Sequence, residues 1–331
     1  KKCYNILVKD FNNSSALVAL FCFLSTLQFE NVLAIFPKLF HKLMKKIVLK
    51  IENFFDGKRF GLNRDPPGNT KRIHILPLLL LKRNKILVVK FSNPKKNCLN
   101  RFAYVEIARV FREVAKDDDV TIVVVTGNGD IFTSGNDMSV STSTGDINSL
   151  LNESIDILKG MIRALLDCPK VVIALVNGPS IGIGTTLAGL CDLIWCSDTA
   201  YFQTPFTKLG LVPEACSSYS FPLLIGRSKA TEMLLFSEKI SAQEALRYNF
   251  VSKVFKLYEL DSVIWPKIQQ YSNLPPESMM LSKQLLRIHD RNALHNALDA
   301  ECEELKNRFH SEEFLSAMIQ FASRHKKASK L

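Results

Sequence analysis

Glycine-bearing turns hold the residue types of this chain that could do chemistry. Gly178-Pro179-Ser180-Ile181-Gly182 has the GxSxG spacing of a nucleophile elbow, in which a serine is raised between a strand and a helix to attack a carbonyl. A hydrolase built on Ser180 also needs an upstream oxyanion loop and a histidine after a late strand. No HGGG-like run precedes it, and His289, His295, His310 and His325 all fall in a helical tail. Gly182-Ile183-Gly184 could open a dinucleotide fingerprint, but Leu187 stands where the third glycine is required, and there is no GxxxxGK[ST] phosphate loop. A different chemistry uses two turns together. Phe132-Thr133-Ser134-Gly135-Asn136-Asp137 and Asn177 to Gly184 each follow a buried apolar run, so each could aim a backbone N–H at one point. Two such donors make an oxyanion hole, which stabilises charge developing on a carbonyl oxygen and typically loses on the order of 10²–10³ in rate with one donor gone. A helix starting after the second turn adds its positive dipole end, and glycines at 182 and 184 allow backbone to approach a ligand closely.

The elements that must position these turns follow from periodicity. Ile86 to Phe91 reads as a strand, Arg101 to Lys116 as a helix, Val120 to Val125 as a continuous apolar strand closed by Thr126-Gly127-Asn128-Gly129. Asn148 to Leu166 repeats the helical pattern, Val171 to Val176 is a third buried strand, and Thr185 to Leu190 begins another helix. Uninterrupted β-branched strands separated by helices indicate an α/β layer with parallel pairing, buried on both faces. Beyond Pro275-Pro276 the chain reads as helical through residue 325.

Four ordered motifs resemble the crotonase superfamily and, within it, the peroxisomal enoyl-CoA delta isomerase (isomerase 2) branch. They are Ser134-Gly135-Asn136-Asp137, Asn177 to Gly184, Phe202-Gln203-Thr204-Pro205-Phe206 and Leu209-Gly210-Leu211-Val212-Pro213-Glu214, and the likeness runs from about residue 85 to the C-terminus. The resemblance implies a spiral of ββα units with a C-terminal helical trimerisation region. The ligand it implies is an acyl-CoA thioester, with no separate cofactor because CoA is part of the substrate. Carried over residue by residue, it makes the N–H groups of Asn136 and Ile183 the oxyanion donors and Glu214 the acid/base. The same resemblance implies that Ser134, Gly135, Asn136, Asp137, Met138 and Gly182 line the substrate. Hydratases of the superfamily use two carboxylates; Phe206 and Thr186 stand at those positions, which points to double-bond isomerisation by one carboxylate. Two departures stand out: Ala215 where the family has glycine after Pro-Glu, and Ser92-Asn93-Pro94 where it has Asn-Arg-Pro. A non-catalytic CoA-binding module of the chromodomain-linked kind is the rival within the superfamily, and those modules tend to lack the acidic residue.

Composition bounds the rest. The chain has 331 residues and a net charge of +11, and the entire excess lies in residues 1–85, leaving 86–331 neutral. A neutral body argues against a nucleic-acid partner, which needs basic residues clustered on its binding face. Eight cysteines show no CxxC pair and no histidine at zinc spacing, so reduced buried thiols are expected and a metal site is not. Three segments are expected: an N-terminal extension over 1–84, an acyl-CoA-binding core over 85–275 and the helical region over 276–331. In the first, Ala16 to Leu24 is apolar but too short to span a bilayer, residues 38–59 could form a basic amphipathic helix, and Asn63 to Asn69 reads as a boundary. Ser329-Lys330-Leu331 has the form of a peroxisomal address read by an import receptor, in competition with a mitochondrial or secretory signal in the N-terminal segment.

Overall fold

A run of valines and isoleucines sets the centre of the structure. In the computed structural model, which describes residues 71–75, 77–138 and 147–328, strands β3 (Ile86–Phe91), β4 (Ile122–Gly127), β5 (Val171–Val176), β7 (Leu193–Ser197) and β10 (Lys253–Phe255) pair in parallel, in that spatial order. β4 is buried at all six residues, as a strand covered on both faces must be. Alternate side chains serve opposite layers. Val123, Val125, Val172, Ala174 and Val176 join the main core under helices α1 (Arg101–Val114) and α2 (Ile147–Leu166), while Ile122, Val124, Ile173 and Leu175 pack with Trp265 and Ile268 of helix α7 (Trp265–Ser272). Asn100 starts α1 by accepting the Ala103 N–H at 2.9 Å, satisfying one of the donors a helix leaves unpaired.

The sheet extends further than periodicity suggested. β1 (Lys71–Ile75) and β2 (Leu78–Arg83) add antiparallel to β3, so two strands of the sheet lie ahead of residue 85, the expected start of the core. β2 and β3 join through the two residues Asn84-Lys85, with Asn84 left-handed at φ 49°, a conformation asparagine tolerates. The apolar stretch 16–24, the residues 38–59, the boundary at 63–69 and the tripeptide 329–331 lie outside the described residues.

A second, three-stranded sheet joins β6 (Ser180–Ile181), β8 (Tyr201–Gln203) and β9 (Ile240–Ser241). Helices α3 (Ile183–Leu190) and α6 (Ala242–Arg247) pack against it, and α4 (Ser217–Ile225) and α5 (Arg227–Leu234) pack on each other beside α3. After α7 the chain is helical, as expected, in α8 (Pro276–Arg287), α9 (Arg291–Phe309) and α10 (Glu312–Ala328). Among the described residues, no helix is long and apolar enough to cross a membrane. The six cysteines described are all free and buried.

Candidate active site

Because β4 and β5 run parallel side by side, the loops that leave their carboxyl ends emerge at the same edge of the sheet, where open α/β sheets hold ligands. Asn177, buried in the second loop, accepts the Gly127 N–H at 2.9 Å and donates to the Gly129 carbonyl at 2.8 Å. Asn97 donates to the carbonyls of Asn128 and Ile131, both at 2.8 Å. The loops then meet each other. Thr133 and Ser180 form a parallel bridge, with the Ile181 N–H donating to the Thr133 carbonyl at 3.1 Å. At the crossing Gly135 has φ 90° and Gly182 has φ 55°, and a Cβ on Gly135 would sit 3.0 Å from the Ile181 carbonyl oxygen, so a larger residue would both strain the turn and push the loops apart.

One residue beyond each of these glycines stands a candidate oxyanion donor. Leu99 pairs with both neighbours of Asn136, donating to the Gly135 carbonyl and accepting the Asp137 N–H, each at 2.9 Å, which turns the Asn136 N–H away from that pairing. Ile183 is the first residue of α3, so its N–H is one that the helix cannot satisfy internally. Neither N–H has a hydrogen-bond partner among the described residues. The helix therefore begins two residues earlier than periodicity indicated, because Gly182 makes the turn into it. Of the other expected lining residues, Ser134 donates its N–H to the Lys96 carbonyl at 3.1 Å, Asp137 lies 3.8 Å from the Lys95 ammonium, and Met138 is partly exposed beside them. Gly184 is not free to approach a ligand on its Cα side, since the Thr133 methyl fills that space.

Ser180 is not an elbow nucleophile. It is fully buried in β6, its carbonyl and hydroxyl both accept from the Thr185 hydroxyl, at 2.7 and 3.3 Å, and among the described residues it makes no hydrogen bond to a histidine. Pairing with β8 turns the side chain inward, and two residues separate it from the start of α3.

Glu214 follows the 3₁₀ turn Thr207–Leu209 and keeps part of its surface open. Burial of its carboxyl pushes its pKa up to about 8, with a smaller contribution from the Glu301 carboxylate. No hydrogen bond or ion pair reaches that carboxyl among the described residues, which leaves both oxygens available to a substrate. Phe206 and Thr186 are buried, and the Thr186 hydroxyl donates to the Ile183 carbonyl at 3.2 Å, so neither supplies a second acid. Two neighbours of Glu214 were not legible in the sequence. Tyr104, on α1, is buried, and burial first, then Glu214 and Cys98, push its phenol well above the usual range. It thus lies in electrostatic reach both of Glu214 and of the segment that carries Leu99. Glu301, on α9, is the other, and only the fold brings it near.

Residues 82–329 match the profile of the enoyl-CoA hydratase/isomerase family. The chain belongs to that family. It is 39% identical over 252 residues to enoyl-CoA delta isomerase 2 of Rattus norvegicus, covering 76% of this chain and 64% of the rat protein. It therefore spans less than two thirds of that relative's length. To enoyl-CoA delta isomerase 3, peroxisomal, of Mus musculus it is 36% identical, across 76% of this chain and 80% of the mouse protein. A crystal structure of an enoyl-CoA hydratase/isomerase from Pseudoalteromonas atlantica superimposes with a TM-score of 0.67 at 31% identity, covering 75% of this chain and 97% of the other. The α/β core with its helical C-terminal region is accordingly the crotonase fold inferred from the four motifs.

Proposed function

We propose that this chain is a delta3-delta2 enoyl-CoA isomerase, which shifts the double bond of a 3-enoyl-CoA to trans-2-enoyl-CoA. The observation that carries the reading is the Glu214 carboxyl, raised in pKa and without a hydrogen-bond partner among the described residues, in a site where neither Phe206 nor Thr186 supplies the second acid that hydration needs. The Glu214 carboxylate removes a proton from C2. The electron pair left behind delocalises onto the thioester oxygen, where the N–H groups of Asn136 and Ile183 receive the charge. The same carboxyl, now protonated, returns the proton to C4, the C2–C3 bond becomes double and the carbonyl re-forms. One group serves as base and then acid because both carbons lie on one face of a planar dienolate. A pKa of about 8 suits both roles, since a base and its conjugate acid work best near the operating pH.

Ser134, Gly135, Asp137, Met138 and Gly182 line the acyl-CoA in this reading. The acyl-CoA is the only small-molecule partner, a homotrimer is the assembly, and CoA enters as substrate rather than as a cofactor. A peroxisomal place of work is supported by the peroxisomal mouse relative. The test is direct. Purified protein is incubated with 3-enoyl-CoAs of several chain lengths, and the absorbance of the conjugated 2-enoyl thioester is followed. CoA binding with no conjugated product at any length refutes the isomerase and favours the binding module.

A further inference from the structure

The turn that carries Glu214 is held in an unfavourable conformation from outside. The Ser217 N–H donates to the Glu214 carbonyl at 3.3 Å, closing a four-residue turn whose two central residues, Ala215 and Cys216, are both left-handed, at φ 56° and 60°. Glycine and asparagine adopt such turns readily, and alanine and cysteine do not. A strained turn of this kind persists only where its surroundings over-determine it. Here the surroundings supply one buried carboxylate. Glu301, on α9 and 6% exposed, accepts the Cys216 N–H at 2.6 Å with one oxygen and the Ser218 N–H at 2.8 Å and Ser218 hydroxyl at 2.5 Å with the other. Those donors stand at the start of α4, so the carboxylate also meets the positive end of that helix. The Cys216 thiol adds a contact to the Leu294 carbonyl of the same α9, at 3.3 Å.

We propose that Glu301 is a positioning residue for the isomerase reaction: from the C-terminal helical region it clamps the Glu214–Ser217 turn and fixes where the Glu214 carboxyl stands. Nothing else about Glu301 accounts for its burial. Among the described residues it makes no ion pair, and Lys159 and Arg163 of α2 are engaged by Asp299 instead. A carboxylate that serves only packing would be replaced without loss by an apolar side chain of similar size, whereas this one satisfies three donors in a row. The inference rests on the proposed isomerase activity, since positioning has meaning only for a carboxyl that moves protons. Misplacement of a reacting group by about 1 Å can cost on the order of 10² in rate without weakening binding, which is the signature to look for.

Glu301→Gln keeps size and one acceptor but turns an amide N–H₂ toward one of the donors. The expected result in the full chain is a fall of at least roughly tenfold in kcat on a 3-enoyl-CoA, with KM within about threefold of the wild type. Hydrogen exchange at residues 215–218 should rise while α9 stays protected. Ser218→Ala removes only the hydroxyl donor and leaves the fold untouched, so it should lower kcat in the same direction by a few fold. A folded Glu301→Gln protein with wild-type kcat, or with its loss confined to KM, overturns the proposal. If Glu301→Gln does not fold, wild-type kcat in Ser218→Ala overturns it instead. Failure of the wild type to isomerise any 3-enoyl-CoA would defeat the isomerase reading itself. The exchange measurement then decides the clamp alone, and unchanged exchange at residues 215–218 refutes it.

Discussion

Glu214→Gln should destroy activity and stabilise the protein, and the two effects share one cause. The glutamine keeps the size of the side chain but cannot take a proton from C2, so turnover should fall by at least roughly 10² while CoA binding stays near the wild-type value. The stability effect follows from the pKa. Burial holds the carboxyl at about 8 in the folded protein against 4.5 in a free chain, so the unfolded state ionises it more readily. The folded state loses stability relative to the unfolded one as pH rises from about 4.5, and the loss is complete above about 8. Near pH 7 the linkage relation gives a penalty on the order of 3 kcal/mol at most, and the partial solvent access of the side chain lowers it. Glutamine carries no such penalty. Thermal melts of both proteins should therefore coincide near pH 4.5 and diverge upward, with the variant melting higher by several degrees at pH 8. In the wild type, kcat/KM should rise with pH through the same value, because the free enzyme needs the ionised base. Equal melting temperatures at pH 8, or a kcat/KM already level at pH 6, would refute the raised pKa. Wild-type turnover in the variant would move the base elsewhere.

Three further outcomes follow from the geometry. Ala215→Gly relieves a left-handed alanine, and after the extra chain entropy of glycine is offset it should stabilise the fold by roughly 0.5–1 kcal/mol in denaturant unfolding; a destabilised variant would show the turn is not strained. Ile183→Pro falls at the first residue of α3, where proline suits the helix, so it should keep the circular dichroism of the wild type while removing the proposed oxyanion donor and at least roughly 10² in kcat. Retained turnover would place the donor elsewhere. Ser180→Ala should keep most isomerase activity, at a cost of about 1 kcal/mol in stability from the lost hydrogen bond to Thr185, and a fluorophosphonate should not label the wild type. Labelling at Ser180 would restore a hydrolase.

How much of this was legible in the sequence depends on whether the signal was local. Val171 to Val176 and Ile122 to Val125 announce themselves because a strand buried on both faces needs no polar residue. The glycines at 135 and 182 are visible for a related reason: a positive φ restricts the residue type, so the backbone requirement is written in the chain. β1 and β2 carry a weaker signal, because Lys71, Arg72, Lys82 and Arg83 flank the leucines of 78–81 in the sequence, and an edge hairpin tolerates that. The Ser180 motif is the opposite case, a local match without the chemistry. Its spacing is right, and only the pairing of β6 with β8, a non-local fact, buries the hydroxyl.

Glu301 lies at the far limit of legibility. Its neighbours Glu303 and Glu304 are ordinary exposed carboxylates on the same helix, and in a run of Glu301-Cys302-Glu303-Glu304 nothing distinguishes the buried one by type. What distinguishes it is a requirement 85 residues upstream, at Cys216, whose neighbour Ala215 stands at a left-handed position that glycine would occupy without cost. A turn built from alanine and cysteine needs an external clamp, so the departure from the family's Pro-Glu-Gly and the buried carboxylate on α9 are two parts of one arrangement. The two should then be coupled energetically. In the Ala215→Gly background the turn needs less holding, and the kcat lost through Glu301→Gln should be smaller than in the wild type. Strictly additive effects in that double-mutant cycle would mean that Glu301 holds the start of α4 for its own sake, independently of the strain in the turn.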